Sequence, residues 1–363
     1  MANPIESRDG FTMYAVDRLS DIDLSQLAVL SSVSWSLDYR GKTRMLYDAA
    51  YYSWLLGGND WFGLMIRDGA GEPVACVFSL CRTLYCGGDA FKAVYSTGLT
   101  VAPHCRALGL GRWAVDVQRR TIFEERHNDL SLAMFQSGHG GLPVVSSSYR
   151  GDSQHKQTCF HSGAIWGKRL VSSPQPKAGV ARAVKAAGLR LHFDATSASL
   201  STSDNDVRAP SLQDLAHMAR GSASLAFAPE ASMARMYLGG DGQRSATLWF
   251  ELGGGAQCAI AYSTVALAID SVEIGKIAQL QTVLARHCTR AQLASALREA
   301  CAIVRARGCV AASIVDQGYV PRGVLEDEGF AKSADELVFA FRGSPALLER
   351  VEQAAPPFML DVL

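Results

Sequence analysis

The stretch Leu99-Thr100-Val101-Ala102-Pro103-His104-Cys105-Arg106-Ala107-Leu108-Gly109-Leu110-Gly111-Arg112 constrains this chain more than any other. Its first half continues a run rich in β-branched and aromatic residues and reads as a strand ending at Pro103, which cannot donate to a sheet ladder. Its second half sets two glycines around the start of a helix that opens near Leu110. A helix start leaves backbone N–H groups without acceptors, and the helix dipole adds partial positive charge at the same end. Strand, glycine loop and helix start together make a cradle for an anion. Gly109 and Gly111 suit it, because a Cβ would hold a phosphate off the backbone or block a positive φ. Arg106 adds a cation able to make charge-assisted contacts. A dinucleotide fold needs G-x-G-x-x-G after its first strand, whereas this loop follows the fourth; a P-loop needs Gly-Lys-Ser/Thr, which is absent.

Around the loop, periodicity predicts the order β-α-α-β-β-β-α-β. The strands are Thr12–Val16, Trp61–Ile66, Pro73–Tyr85, Phe91–Val101 and Leu130–Phe135; the helices are Asp21–Trp35, Lys42–Leu56 and Leu110–Arg126. Asp68-Gly69 and Gly87-Gly88 sit where hairpin turns belong. From Val171 to Pro210 the composition shifts to Ser, Ala, Thr, Asp and Pro, with one helix expected at Ala178–Ala187. Beyond it the order recurs: helix Leu212–Ala219, strands Ala246–Glu251, Gln257–Leu267 and Val272–Leu284, helix Arg290–Arg307, strand Cys309–Ile314. The long helix starts near 110 in the first half and near 290 in the second, a period suited to a duplicated domain rather than a solenoid. A chain of 363 residues has room for two such units. The expectation is a domain at 1–170, a linker at 171–205 and a second domain at 206–363. The fold class is α/β (α+β), each domain a mixed, mostly antiparallel sheet flanked by helices.

Thirty-five Lys+Arg balance thirty-five Asp+Glu, so no overall electrostatic footprint for nucleic acid or an anionic membrane exists, and neither partner is expected. The most apolar stretch, Ala256–Ile269, is interrupted by Gln257, Tyr262, Ser263 and Thr264 and falls short of the roughly 18 apolar residues of a spanning helix. Met1–Asp9 has no basic run followed by an apolar one, so the expectation is a cytoplasmic protein. Nine cysteines without a CxxC pair make neither a disulfide framework nor a structural zinc module. His155, Cys159 and His161 match no standard zinc spacing, and Cys76, Cys81 and Cys86 alternate strand faces, so no metal is expected.

The loop resembles the signature of the GNAT (Gcn5-related N-acetyltransferase) superfamily, L-x-V-x-P-x-x-R-x-x-G-x-G/A, at Leu99, Val101, Pro103, Arg106, Gly109 and Gly111. The resemblance covers about residues 11 to 170 and implies two tandem GNAT-like domains with acetyl-CoA, or another acyl-CoA, as co-substrate. It implies that Leu99 and Val101 hold the pantetheine arm through their backbone. It also implies that Arg106, Ala107, Leu108, Gly109, Leu110, Gly111 and Arg112 form the pyrophosphate loop. The second half resembles a GNAT domain that has lost this loop, since Thr282–Ala291 takes its place and no glycine occurs between Val283 and Ala300. Its Asp316–Tyr319 and Leu325–Phe330 resemble the last helix of the family, with Val324 or Leu325 where a catalytic tyrosine usually sits. The second domain therefore reads as structural.

Acyl transfer to an amine needs the ammonium deprotonated before attack and the departing thiolate protonated afterwards. The resemblance places a carboxylate base on the fourth strand, but Phe91–Gly98 carries none. Tyr149 is the nearest match to the acid, and His139, among the glycines of Gln136–Pro143, titrates near neutrality and suits a base. The expected function is transfer of an acetyl or other acyl group to a primary amine, in a ternary complex, with a small-molecule acceptor. Two alternatives stand beside it: a longer-chain or carrier-protein-dependent acyltransferase, and a non-catalytic acyl-CoA-binding sensor or assembly module.

Overall fold

A computed structural model of the chain describes residues 3–38, 43–136, 154–171, 206–208, 210–230, 237–238, 244–269 and 272–360. Strands β1 (Asn3–Arg8) and β2 (Phe11–Val16) precede helix α1 (Leu24–Asp38), strand β3 (Thr43–Leu46) and helix α2 (Ala49–Gly57). Next come β4 (Trp61–Arg67), β5 (Pro73–Cys86), β6 (Asp89–Val101), α3 (Leu110–Arg120), β7 (Leu130–Gln136) and β8 (Lys156–Arg169). Then follow β9 (Asp206–Arg208), α4 (Leu212–Ser222), β10 (Leu225–Phe227), β11 (Ser245–Glu251), β12 (Gln257–Ile269), β13 (Val272–Arg286) and α5 (Arg290–Ala306). The chain continues with β14 (Cys309–Val315), α6 (Arg322–Asp327), β15 (Ala331–Gly343), α7 (Pro345–Gln353) and β16 (Phe358–Met359). The helix expected at Ala178–Ala187 lies outside the described residues.

Two compact units interleave in sequence: Met1–Asp38, Tyr47–Ser162 and Leu337–Ala354 form one, and Tyr39–Leu46, Gly163–Glu336 and Ala355–Leu363 the other. The contiguous expectation of 1–170 and 206–363 differs from them because each unit takes its last strand from the far end of the other's sequence. In the first unit β7 pairs with Leu337–Gly343 of β15. In the second, β14 pairs with Ile165–Arg169 of β8.

The first unit's strands run β1-β2-β4-β5-β6-β7-β15. Neighbours are antiparallel except β6 and β7, which are parallel and so need a crossover; α3 is that crossover. The β5–β6 hairpin turns on Gly87 and Gly88, both at positive φ, as a two-residue turn of this hand requires. Helix α3 is amphipathic and buries Leu110, Trp113, Ala114, Val115 and Val117. The helix expected to run to Arg126 changes at Thr121 into a π-helical turn, whose wider winding buries the adjacent Ile122 and Phe123 together.

The helix expected over Lys42–Leu56 is instead a strand and a shorter helix. Asp48 caps α2 by accepting the Tyr51 N–H at 2.6 Å, which fixes its start at Ala49. The preceding Thr43–Leu46 pairs with Ala266–Ile269 of β12 in the second unit's sheet. Strands β1, β8 and β15 were not anticipated, and the first half of β15, Ala-Lys-Ser-Ala-Asp-Glu, carries no apolar alternation to reveal it.

The second unit repeats the plan, with strands in the order β8-β14-β13-β12-β11-β9 and the parallel pair β13–β14 bridged by α5. One sheet face packs Leu248, Phe250, Ile260, Tyr262 and Leu280 against Leu293, Leu297 and Val304 of α5. The other packs Trp249, Ala259, Ala261 and Leu284 against Leu215 and Met218 of α4. No helix among the described residues is long and apolar enough to cross a membrane.

Candidate functional site

The site is built where two neighbouring parallel strands part. β6 and β7 stay paired only from Ala93 with Leu130 to Ser96 with Ala133. Beyond that point β6 runs on to Val101 and β7 to Gln136. The parting coincides with a bulge: Cys76 opposes Thr100 and Phe78 opposes Thr97, so Val77 faces both Gly98 and Leu99. Gly98 takes φ +68°, and a Cβ there would lie 3.1 Å from the Phe78 ring, so both backbone and space demand glycine. The Ala102 N–H donates to the Val74 carbonyl at 2.7 Å. By strand alternation the N–H and C=O of Val101 and Leu99 then face away from β5, into the wedge. No strand pairs with them there among the described residues. This is the edge to which the family resemblance gives an extended, hydrogen-bonding arm.

The wedge leads to the cradle. Pro103–Leu108 winds as a 3₁₀ turn, Gly109 follows at φ 74° and ψ 10°, and α3 begins at Leu110. Gly109 is the N-cap and offers no side-chain acceptor to the first turn. The N–H groups of Leu110, Gly111 and Arg112 therefore head the helix without an in-helix acceptor, at its positive end. Nothing lies within 4 Å of where a Gly109 Cβ would sit, so the glycine answers to backbone conformation and not to crowding. Leu110 turns into the core, while Leu108 is 50% exposed on the loop.

The two arginines of the loop are already engaged. Arg106 grips Asp38 with both Nη atoms, at 2.7 and 3.0 Å, and donates to the Ser34 carbonyl at 2.7 Å. Arg112 pairs with Asp116 one turn along α3, at 3.7 Å. The expected charge contact from Arg106 is thus made to α1, and the cradle itself is backbone. His139 and Tyr149 lie outside the described residues.

Cysteine chemistry is disfavoured. The eight described cysteines are free thiols. Burial raises each of them above its ordinary range, Cys76 on β5 and Cys301 on α5 to about 12. A thiol held that high is a poor nucleophile near neutral pH. His155 stacks on Phe123 with ring centroids 4.1 Å apart, and His161 bonds the Val351 carbonyl at 3.0 Å. Among the described residues no group of three His, Cys, Asp or Glu side chains converges as for a metal ion.

The second unit closes both features. α5 starts at a capping box: the Thr289 hydroxyl accepts the Gln292 N–H, and the Gln292 side chain accepts the Thr289 N–H at 2.9 Å. Of the first-turn donors that α3 leaves open, the chain here satisfies the counterpart of Arg112, the Gln292 N–H. β13 and β14 also part after Leu280 and Ile314, but Gln317 fills the space. Its Nε2 donates to the carbonyls of Gln281 at 3.2 Å and Leu360 at 2.9 Å, and its Oε1 accepts the Leu360 N–H at 2.8 Å.

No protein-family model matches the sequence, and no curated protein matches it. Solved structures do. N-myristoyltransferase from Saccharomyces cerevisiae with bound myristoyl-CoA superposes with TM-score 0.66 at 12% identity, covering 94% of this chain and 80% of that one. A second structure of that yeast enzyme gives 0.62 at 13%, over 93% and 84%. A GCN5-related N-acetyltransferase from Sphaerobacter thermophilus gives 0.52 at 15%, over 92% and 96%. The likenesses are of fold: a parallel strand pair bridged by a helix recurs in both units, and the chain has a two-domain GNAT-like fold.

Proposed function

We propose that the chain is an N-acyltransferase that moves an acyl group from acyl-CoA to a primary amine, within a ternary complex. The observation that carries this is the uncapped start of α3 opening beside the wedge between β6 and β7. The first-turn N–H groups, with Ala107, Leu108, Gly109, Gly111 and Arg112 around them, would hold the pyrophosphate. The backbone of Leu99 and Val101 would pair with the pantetheine amides. The amine nitrogen attacks the thioester carbon, the C–S bond breaks, and CoA leaves as its thiolate. His139 takes the ammonium proton and Tyr149 returns one to the leaving thiolate. The raised thiols favour this direct transfer over an acyl-cysteine route. The free thiols also support a cytoplasmic location.

Acetyl is the simplest acyl group, and a small molecule the simplest acceptor. A longer chain is a second reading, supported by the likeness to a yeast enzyme with myristoyl-CoA bound. Calorimetry with CoA, followed by thiol release from acyl-CoAs of graded length over an amine panel, tests both. Failure to bind CoA would overturn the proposal. Binding without amine-dependent release would leave an acyl-CoA-binding module. Maximal release with long chains would select the second reading.

A further inference from the structure

Arg106 occupies a place in the loop from which a phosphate ligand could be expected, yet its guanidinium faces the other way. Both Nη atoms lie on the Asp38 carboxylate, at 2.7 and 3.0 Å, and one also reaches the Ser34 carbonyl at 2.7 Å. Asp38 is the last residue of α1. A carboxylate there meets the negative end of the helix dipole and is unfavourable by itself, whereas a guanidinium at that position is favourable. The planar fork therefore satisfies a helix end and a carboxylate at once, which a lysine could not do with the same geometry. Three residues further on, Gly109 turns the chain into α3.

We infer that Arg106 is a positioning residue: with Asp38 and the Ser34 carbonyl it braces the anion loop against α1, so that the N–H groups of α3 stay aimed at the ligand. It does not bind the phosphate itself. This inference rests on the acyl-CoA reading for its ligand but not for its geometry.

The sign of one substitution separates brace from ligand. Asp38→Asn removes a negative charge close to the cradle, so electrostatics alone would tighten an anion. If Arg106 were a phosphate ligand held back by Asp38, the variant would also free it and tighten binding further. A brace predicts the reverse, since the fork loses its charged partner and the loop loosens. Calorimetry with CoA on the full chain should therefore give an affinity about 3- to 10-fold weaker for Asp38→Asn. Arg106→Gln should weaken it similarly, and the double variant should be no worse than the weaker single one. Hydrogen exchange without ligand should show faster exchange at Cys105, whose N–H bonds the Ala102 carbonyl within the loop, in both variants. Unchanged or tighter CoA binding in Asp38→Asn, with weaker binding in Arg106→Gln, overturns the brace. A wild-type chain that ignores CoA overturns the cofactor reading instead, and the exchange experiment then decides the brace alone: equal exchange rates in all three proteins would sink it.

Discussion

Replacing Gly109 by alanine places a Cβ on a residue held at φ 74° and ψ 10°, in the left-handed region. With no atom within 4 Å of the new methyl, packing neither punishes nor rewards it. What remains is the intrinsic penalty for an L-residue there, about 1–2 kcal/mol. That penalty can appear in two places. If the loop keeps its shape, the native state bears all of it, and the melting temperature falls by about 2–4 °C for each kcal/mol. If the free loop relaxes to negative φ, stability is spared but the first-turn N–H groups swing away. CoA must then restore the turn, weakening its affinity by up to about 5- to 30-fold. The two effects should sum to the same 1–2 kcal/mol. Asparagine tolerates left-handed backbone better and should recover much of the loss in both measurements. Scanning calorimetry and titration with CoA on wild type, Gly109→Ala and Gly109→Asn give the sum directly. An alanine variant with wild-type melting and wild-type affinity would refute the claim that this turn shapes the cradle.

Gly111→Glu should weaken CoA binding strongly while leaving the fold intact, because it sets a carboxylate against the pyrophosphate; titration showing unchanged affinity would remove this loop from the site. CoA should saturate at one molecule per chain, since α5 caps its own N-terminus and Gln317 fills the second wedge; a stoichiometry of two would show a working second site. Tyr149→Phe should lower kcat by about 10²- to 10⁴-fold with CoA affinity and melting temperature nearly unchanged; wild-type turnover would exclude this tyrosine as the acid. Glu6 accepts from Trp113 Nε1 at 2.7 Å and pairs with Arg120, and these contacts hold its carboxyl below the ordinary glutamate range. A depressed carboxylate stabilises the fold above its unfolded value and loses that contribution as pH falls through the folded one, so Glu6→Gln should cost at most about 1 kcal/mol at pH 7, screened as the pair is. Its melting curve should approach wild type as pH falls into acid; a gap that stays the same from pH 7 into strong acid would contradict the linkage.

The turn from β6 into α3 was legible because its signals are local. Pro103 ends a strand, Gly109 supplies a positive φ, and the apolar spacing from Leu110 starts a helix, all within one short window. The duplication was legible for the same reason, as a repeated order of short-range patterns. Gly98 was a missed signal, since a single glycine inside a strand pattern marks a bulge and here opens the wedge. Thr289-Arg290-Ala291-Gln292 also carried its message in plain form, a capping box that satisfies the N3 donor of its helix. What sequence could not give is pairing between distant segments. Whether β7 lies beside β8 or β15 depends on contacts some two hundred positions apart along the chain, and neither strand's own residues encode its neighbour. The partner of Arg106 was hidden likewise, 68 positions upstream at Asp38.

The two units show what it takes to turn one architecture into a ligand site or out of one. Both have antiparallel strands leading to a parallel pair, and a helix crossing between them. A helix start without a capping side chain is a modest local weakness, since a good N-cap is worth about a few tenths of a kcal/mol over glycine. In the first unit the start at Gly109 has no side-chain cap, and in the proposed reading an anion offsets it. In the second, Thr289 caps the helix and Gln292 bonds back to it, which lessens that weakness. The wedge follows the same logic. A parted strand pair leaves backbone donors and acceptors in need of partners, which an extended ligand can supply. In the second unit Gln317 supplies them instead, bonding the Gln281 carbonyl on one side and the N–H and carbonyl of Leu360 on the other. Tight contact secures the arrangement, since a Cβ on Gly318 would lie 2.5 Å from Pro356 and so only glycine lets that segment approach. The chain's own side chains thus meet, in the second unit, part of what the first leaves open at its helix start and between its strands.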